Sequence, residues 1–262
     1  MKKIFFLGLV FLYAMLLAVA AGHAQSLKVL TYNIHHANPP SQPDSIDLLA
    51  VARVIRDSGA ELVALQEVDV YTERSGMQVN QAAELGRLTG MRHYFAKAID
   101  YQGGEYGVAI LSKHPFITTE NHPLPMAEGV GGEPRTLALA VVEPRPGKPI
   151  VFACTHLDLK AENKLLQAKH IIDLLADRDY PVILGGDFNA QPDSEVIQLL
   201  DGYLQRSQSS VGEGFTIPVN SPNREIDFIM FGPAGVFQVV RHEVINEQYA
   251  SDHLPVYVEL DL

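Results

Sequence analysis

The sequence has one cysteine, no tryptophan and few basic residues among its 262 positions. With Cys154 alone there is no internal disulfide, so the fold must be held by its apolar core. Cys154 lies in the apolar run Ile150 to Cys154 and reads as a buried small hydrophobe. Lys and Arg number 20 against 31 Asp and Glu, a formal net charge of −11. Such a balance counts against broad electrostatic capture of nucleic acid, which uses clustered Lys and Arg. The sequence has no G-x-S-x-G elbow and no H-E-x-x-H pair. Those absences argue against a serine nucleophile of the hydrolase-elbow type and against a zinc protease. Internal repeats and low-complexity tracts are also missing.

Only one segment is apolar enough to engage a membrane. Lys2 and Lys3 precede the almost wholly apolar Ile4 to Ala21, and Gly22-His23-Ala24 sets small residues at the −3 and −1 positions of a cleavage site. Residues 1–24 are therefore expected to be a signal peptide, with an uncleaved anchor as the alternative, and the protein to be exported, periplasmic or secreted. Cleavage takes Lys2 and Lys3 from the 20 basic residues, leaving 18 against 31 acidic, a net −13. Residues 25–262 are ample for one domain, with no further membrane span and a monomer expected.

Short runs rich in Val, Ile and Phe predict strands at Leu27 to Ile34, Leu62 to Leu65, Arg92 to Ala98, Val108 to Leu111, Thr136 to Val142, Ile150 to Cys154, Val182 to Leu184, Ile226 to Phe231, Phe237 to Val244 and Val256 to Leu260. Helices are expected at Ser45 to Arg56 behind an Asp44-Ser45 cap, Gln81 to Leu88, Glu162 to Ala176 and Ser194 to Leu200. Early strands alternate with helices and later ones follow one another. By itself this pattern predicts a mixed α and β fold.

Six motifs stand at the predicted strand ends: TYNIHHA, LQEVD, THLDL, GGDFNA, REIDFI and SDHLPV. Glu67 follows a strand of core character, where a carboxylate is costly unless paired or metal-bound. The Asn33 amide oxygen can ligate a cation and its NH₂ can donate. Asp187 can orient or deprotonate a water, and Asn189 can donate to a phosphate oxygen. Gly185 and Gly186 allow an unusual backbone path or a close approach to substrate. Arg135 carries a planar fork that matches phosphate oxygens. Tyr106 is a candidate cleft residue, Glu105 a candidate partner of His156, and Arg74 a further phosphate contact on a loop. His35 and His36 are read as rim residues and Asp158 as a loop-shaping group.

These six motifs, in this order, resemble the endonuclease/exonuclease/phosphatase superfamily, the metal-dependent phosphoesterases of the pancreatic deoxyribonuclease type. The resemblance runs from about Leu27 to Leu262. It implies a four-layered α/β sandwich, two mixed β-sheets packed face to face with helices outside. It implies that Glu67 is the principal metal ligand, with Asn33 beside the metal and Asp252 facing it. It pairs Asp227 with His253 as a catalytic dyad and sets His156 against the scissile phosphate. With Asp187 and Asn189, these form the expected catalytic set, and Arg135, Tyr106 and Arg74 the expected substrate contacts. The ligands are oxygen atoms and there is no Cys/His cluster, which favours Mg²⁺ or Mn²⁺ over zinc.

The EYGVAILS, EPRT and GGDFNA motifs are most similar to a compact bacterial branch with mixed or undefined substrates. A phosphoester is the expected substrate: a lipid head group, a small phosphoester or a nucleic acid. No basic stripe with interleaved aromatics marks a polynucleotide groove, which leaves nuclease activity as the alternative. A binding domain that kept the fold and lost catalysis is the alternative from another class; it is disfavoured because every expected acidic, amide and histidine position is filled.

Overall fold

The computed structural model describes residues 26–208 and 214–262, so the expected signal peptide lies outside the described residues. Among the described residues no helix is long and apolar enough to cross a membrane.

The chain builds two similar halves. In the first, β1 (Leu27–Asn33) leads through α1 (Leu48–Ser58) to β2 (Leu62–Val70), which lies parallel to β1. A parallel neighbour requires a crossover, and α1 supplies it. Then come α2 (Gln81–Thr89) and the hairpin of β3 (Arg92–Tyr101) and β4 (Gly104–Ser112). The second half begins with β5 (Phe116–Pro123), β6 (Thr136–Arg145) and β7 (Lys148–His156). There α3 (Ala161–Ala176) crosses to β8 (Val182–Asp187), parallel to β7. After α4 (Glu195–Asp201) come β9 (Gln205–Arg206), β10 (Asp227–Gly232), β11 (Gln238–Val244) and β12 (Val256–Asp261). The last strand returns to pair antiparallel with β1. The result is two mixed six-stranded sheets, ordered β11-β12-β1-β2-β4-β3 and β5-β6-β7-β8-β10-β9.

Three apolar clusters hold the layers. Leu27, Val29, Leu62, Phe152, Ile183 and Phe231 pack with others between the sheets. Leu30, Val63 and Leu65 meet Val51, Ile55 and Leu85 of α1 and α2 on one outer face. Leu139, Val151 and Leu184 meet Ile171, Leu175 and Ile197 of α3 and α4 on the other. This is the four-layered α/β sandwich.

Alternation along the strands explains where the polar groups go. In β1, Leu27 and Val29 join the inner core while Leu30 and Tyr32 join the outer one. Period two then puts Thr31 and Asn33 on the inner face. The same rule carries Ile150, Phe152 and Cys154 of β7 up to His156, and Ile183 of β8 through Gly185 to Asp187. Antiparallel β10 runs the other way, from Asp227 to Ile229 and Phe231. The space between the sheets is thus apolar for most of its length and polar at one edge.

Gly185 has a packing role that differs from the substrate approach expected of it. A Cβ there would lie 2.9 Å from Ala64 Cβ and 3.2 Å from Thr31 Cβ, so the missing side chain lets the sheets meet. Two other expectations need correction. The first helix starts at Leu48, capped by Asp47 Oδ1, which accepts from Ala50 N at 2.9 Å; Asp44 and Ser45 stay in the preceding loop. β5 was not expected, because Phe116–Pro123 is an edge strand, partly or largely exposed along its length, with no apolar face to mark it.

Candidate functional site

The polar edge gathers side chains far apart in sequence. His156, Asp187 and Asp227 stand in one row across adjacent strands β7, β8 and β10. Residues paired in register share a face, so all three point towards the other sheet. From that sheet Asn33 reaches across. Its Nδ2 donates to Glu67 Oε1 at 3.1 Å and to Asp187 Oδ2 at 3.0 Å, while its Oδ1 accepts from the His35 amide at 3.0 Å.

Glu67 comes to this edge through a defect in the ladder. Leu65 and Val68 pair with Ala109 and Gly107, so two residues oppose one, and the register shifts. Glu67 has φ +58°, in the left-handed region. A bulge of this kind re-aims a side chain that strict alternation would turn away. Asn189, at φ +49°, and the successive His35, His36 and Ala37, at +46°, +44° and +60°, share that backbone region. Asn adopts this region readily, whereas for His, Ala or Glu it costs about 1–2 kcal/mol per residue. Surrounding bonds hold the turn: Gln81 Nε2 donates to His36 O at 2.7 Å, and the Asp47 amide donates to Ala37 O at 2.7 Å. Strain held by its surroundings in this way concentrates at functional sites.

A buried acid–imidazole chain forms the centre. His253 Nδ1 lies 2.9 Å from Asp227 Oδ2, which also accepts from Thr216 Oγ1. His253 Nε2 is 3.7 Å from Asp187 Oδ2, and His156 Nε2 is 3.5 Å from the same oxygen. Asn189 Nδ2 sits 3.0 Å from His156 Nε2 and donates to Leu157 O, and the Asn189 amide donates to Asp187 Oδ1 at 2.8 Å. With Asn189 donating to Nε2, the His156 proton belongs on Nδ1.

The electrostatics divide the groups. Burial, then the Asp227 charge, raise the Asp187 carboxyl to about 7. Burial pulls His253 down, but Asp227 outweighs it and the imidazole is lifted to about 10. Burial, then Arg135 and His253, hold His156 well below the usual imidazole range, hence neutral. Burial, then Glu67, keep the Tyr106 phenol protonated. Among the described residues five buried side-chain atoms lack partners, and four of them, Arg135 Nε, His156 Nδ1, Asp227 Oδ1 and His36 Nδ1, belong to residues singled out by the sequence. Unpaired buried polar atoms call for an explanation, and a ligand or water that completes them is one.

Other expected residues are more peripheral. Asp252 is partly exposed; its Oδ1 is 3.4 Å from Ser251 Oγ, and its charge acts on His253 and His36. Arg135 is buried, with Nη1 3.1 Å from Glu133 Oε1. Arg74 is fastened by two bonds to Asp69, at 2.7 and 2.9 Å, with its guanidinium 4.6 Å from the Tyr101 ring centre and 5.5 Å from that of Tyr106. Glu105 pairs with Lys97 at 3.3 Å, so it does not orient His156. Asp158 does shape its loop, accepting from the Leu159 and Lys160 amides and from Asn163 Nδ2.

Three supporting residues escaped the sequence reading. Thr216 holds Asp227, Gln81 holds the His36 carbonyl, and Lys164 Nζ donates to Asn189 O at 2.5 Å. None carries a local signal. The bulge at Glu67 does: Leu65 and Val68 both face the outer core, and their spacing of three breaks the alternation.

A divalent cation fits this chemistry. Asn33 Nδ2 ties Glu67 to Asp187, whose carboxyl is held up by burial and by the Asp227 carboxylate, a charge that a cation would offset. Asp187 and Asp227 stand within 4.8 Å of each other and of His253, which as a cation has no lone pair for a metal, so the carboxylates are the ligand candidates there. As placed, the Asn33 oxygen faces the His35 amide; ligation through it requires the amide to turn over.

Residues 30–253 match the model of the Endonuclease/Exonuclease/phosphatase family. The chain is 28% identical over 253 residues to the uncharacterized protein YbhP of Escherichia coli K12, covering 90% of this chain and 97% of that protein. A crystal structure of an endonuclease/exonuclease/phosphatase from Beutenbergia cavernae superposes with TM-score 0.78 at 26% identity, covering 91% of this chain and 72% of that one. The mannosyl-6-phosphatase Bt3783 of Bacteroides thetaiotaomicron superposes with TM-score 0.73 at 20% identity, covering 90% and 100%.

Proposed function

This chain belongs to the endonuclease/exonuclease/phosphatase family, whose members are phosphoesterases that generally depend on a divalent cation, and on that premise we propose that it hydrolyses a compact phosphoester by direct attack of water. The observation that carries the proposal is the buried line Asp227–His253–Asp187, with bonds and approaches of 2.9 and 3.7 Å and with His156 on its far side.

Each residue has a task on this reading. Asp187 holds the attacking water and accepts its proton as oxygen bonds to phosphorus. His253, kept cationic by Asp227, stabilises the charge that develops on the phosphoryl oxygens and on the leaving oxygen as its bond to phosphorus breaks. His156, through Nδ1–H, and Arg135, through Nε–H, are unpartnered donors suited to phosphate oxygens. Asn189 fixes the His156 ring. Glu67, with Asn33 and Asp252, would hold Mg²⁺ or Mn²⁺, which supplies Lewis-acid neutralisation of phosphoryl charge. No side chain is placed as an activated nucleophile, so no covalent intermediate is invoked.

The acidic net charge and the burial of the site residues support a small phosphoester or lipid head group over an extended polynucleotide. The leader pattern supports hydrolysis outside the cytoplasm. The test is a panel of sugar phosphates, phosphoinositides, sphingomyelin, RNA and plasmid DNA, with Mg²⁺ or Mn²⁺ and with chelator. Turnover of at least one compact substrate is expected, abolished by chelator. His253→Ala and Asp187→Ala should each lower kcat by roughly a hundredfold or more with little change in KM. Full activity in chelator, or near-normal turnover by both variants, would overturn the reading.

A further inference from the structure

The turn after β1 presents two imidazoles to the same carboxylate that the catalytic reading uses. His35, His36 and Glu67 offer ligand atoms all within 4.8 Å of one another. Donors on a cation at about 2.1 Å stand up to about 4 Å apart, so small side-chain rotations close the set. The His35 ring is already oriented: its Nδ1 lies 3.0 Å from Asn38 O. That carbonyl can only accept, so the proton sits on Nδ1 and Nε2 keeps its lone pair. A ring N–H given to a backbone carbonyl is the usual support of a metal-ligating histidine. His36 Nδ1 is buried without a partner, and the two rings meet edge to face with centroids 4.6 Å apart. Three successive left-handed residues hold the rings here, clamped by Gln81 and Asp47. A cavity of about 450 Å³ lined by His36, Asn38, Pro43, Asp44, Ile46 and Arg74 opens beside His36.

We propose that His35, His36 and Glu67 form a second cation site, selective for a borderline-soft transition ion of the Zn²⁺ type. Two imidazoles and one carboxylate suit Zn²⁺ or Co²⁺, whereas Mg²⁺ takes oxygen ligands and keeps its waters. The inference rests on the catalytic reading only through the shared Glu67, and it follows that a Zn²⁺-class ion competes with the catalytic cation.

The test is binding, not turnover. Chelator-stripped protein is titrated with Zn²⁺ and separately with Mg²⁺ by calorimetry, and with Co²⁺ by visible absorption. Zn²⁺ should bind at least tenfold more tightly than Mg²⁺, and Co²⁺ should develop a d–d band. His35→Asn and His36→Asn, which tolerate the left-handed backbone, should each weaken Zn²⁺ by tenfold or more and bleach the Co²⁺ band. Mg²⁺ affinity should change less than threefold. His36→Gly relieves the strained φ, so it should lose Zn²⁺ affinity while melting no lower than the parent, which separates ligand loss from misfolding. Unchanged Zn²⁺ affinity in both His→Asn variants, or equal losses for Zn²⁺ and Mg²⁺, would overturn the site. A protein that binds Zn²⁺ through these residues yet hydrolyses nothing would sink the catalytic reading instead.

Discussion

Replacing Asp187 by Asn should abolish activity and stabilise the metal-free protein. Asp187 is 1% exposed and its carboxyl is raised from the ordinary 3.8 to about 7 by burial and then by Asp227, with the attraction to His253 already included. A carboxyl bound more tightly to its proton in the folded state than in the unfolded one loses stability as pH rises through that window. The penalty is absent below about 3.8 and complete above about 7. Three pK units correspond to about 4 kcal/mol. The amide keeps the bond from the Asn189 N–H but loses the acceptor that Asn33 Nδ2 uses at 3.0 Å, a cost of about 1–2 kcal/mol. The net gain is about 2–3 kcal/mol, which for a chain of this size raises Tm by roughly 5–10 °C. The assay is thermal melting in chelator from pH 5 to 8.5, with phosphoesterase turnover in Mg²⁺ measured alongside. The gain should shrink towards pH 5 and also when Mg²⁺ is added to both proteins. An Asp187→Asn protein that melts at or below the parent at pH 8 in chelator, or that still turns over, refutes the account of a destabilised catalytic carboxylate.

Three further outcomes follow from the packing. Gly185→Ala should cost about 1–3 kcal/mol in denaturant unfolding by pushing the sheets apart, and Ala64→Gly, which removes the Cβ at 2.9 Å, should recover part of that loss; no recovery would mean the sheets do not meet there. Glu61 is held down to about 2 by His114 and Arg145 against the opposing effect of burial, so its contribution is present above about 4.5 and fades as pH falls through 2. Discounted for solvent screening, Glu61→Gln should cost about 1–2 kcal/mol at pH 7 and nothing near pH 2 in urea melts at the two pH values. Lys164→Met should lower kcat about tenfold by freeing the Asn189 carbonyl while leaving Tm within a few degrees; a parent-like kcat would show that Asn189 positions itself without it.

Much of this fold was written in local pattern. The helices expected at Ser45 to Arg56 and at Glu162 to Ala176 correspond to α1 and α3, because each must bury one apolar face against a sheet. The short Val- and Ile-rich runs located the strands for the same reason. Where no face is buried the signal fails, as it does for β5 and for the two-residue β9. Strand ends were read short: β2 continues to Val70 and β7 to His156, since polar residues that finish a ladder look like loop in sequence. At the site, residue types were legible and relations were not. The line of motifs named Asn33, Glu67, His156, Asp187, Asn189, Asp227 and His253, yet nothing in it told that Asn33 would tie Glu67 to Asp187, or that His35 and His36 would turn onto Glu67. Those depend on a bulge and on a left-handed turn, the turn fixed by contacts from Gln81 and Asp47 further along the chain.

The division of the inner face into apolar length and polar edge sets the relation between stability and function. Three apolar clusters supply the folding energy, and only a few of their members, Ala37 and Phe188 among them, reach the edge. The edge instead carries left-handed backbone at His35, His36, Ala37, Glu67 and Asn189, and unpartnered atoms on Arg135, His156 and Asp227. On the proposed function a cation would offset the carboxylates and a phosphoryl group would complete the unpartnered donors, while the left-handed backbone stays as it is. Binding energy therefore has a local reservoir to release. Substitutions that make this edge more comfortable, such as Asp187→Asn or His36→Gly, should weaken what it binds or does, whereas substitutions in the three clusters should lower stability and leave binding in the surviving folded fraction intact.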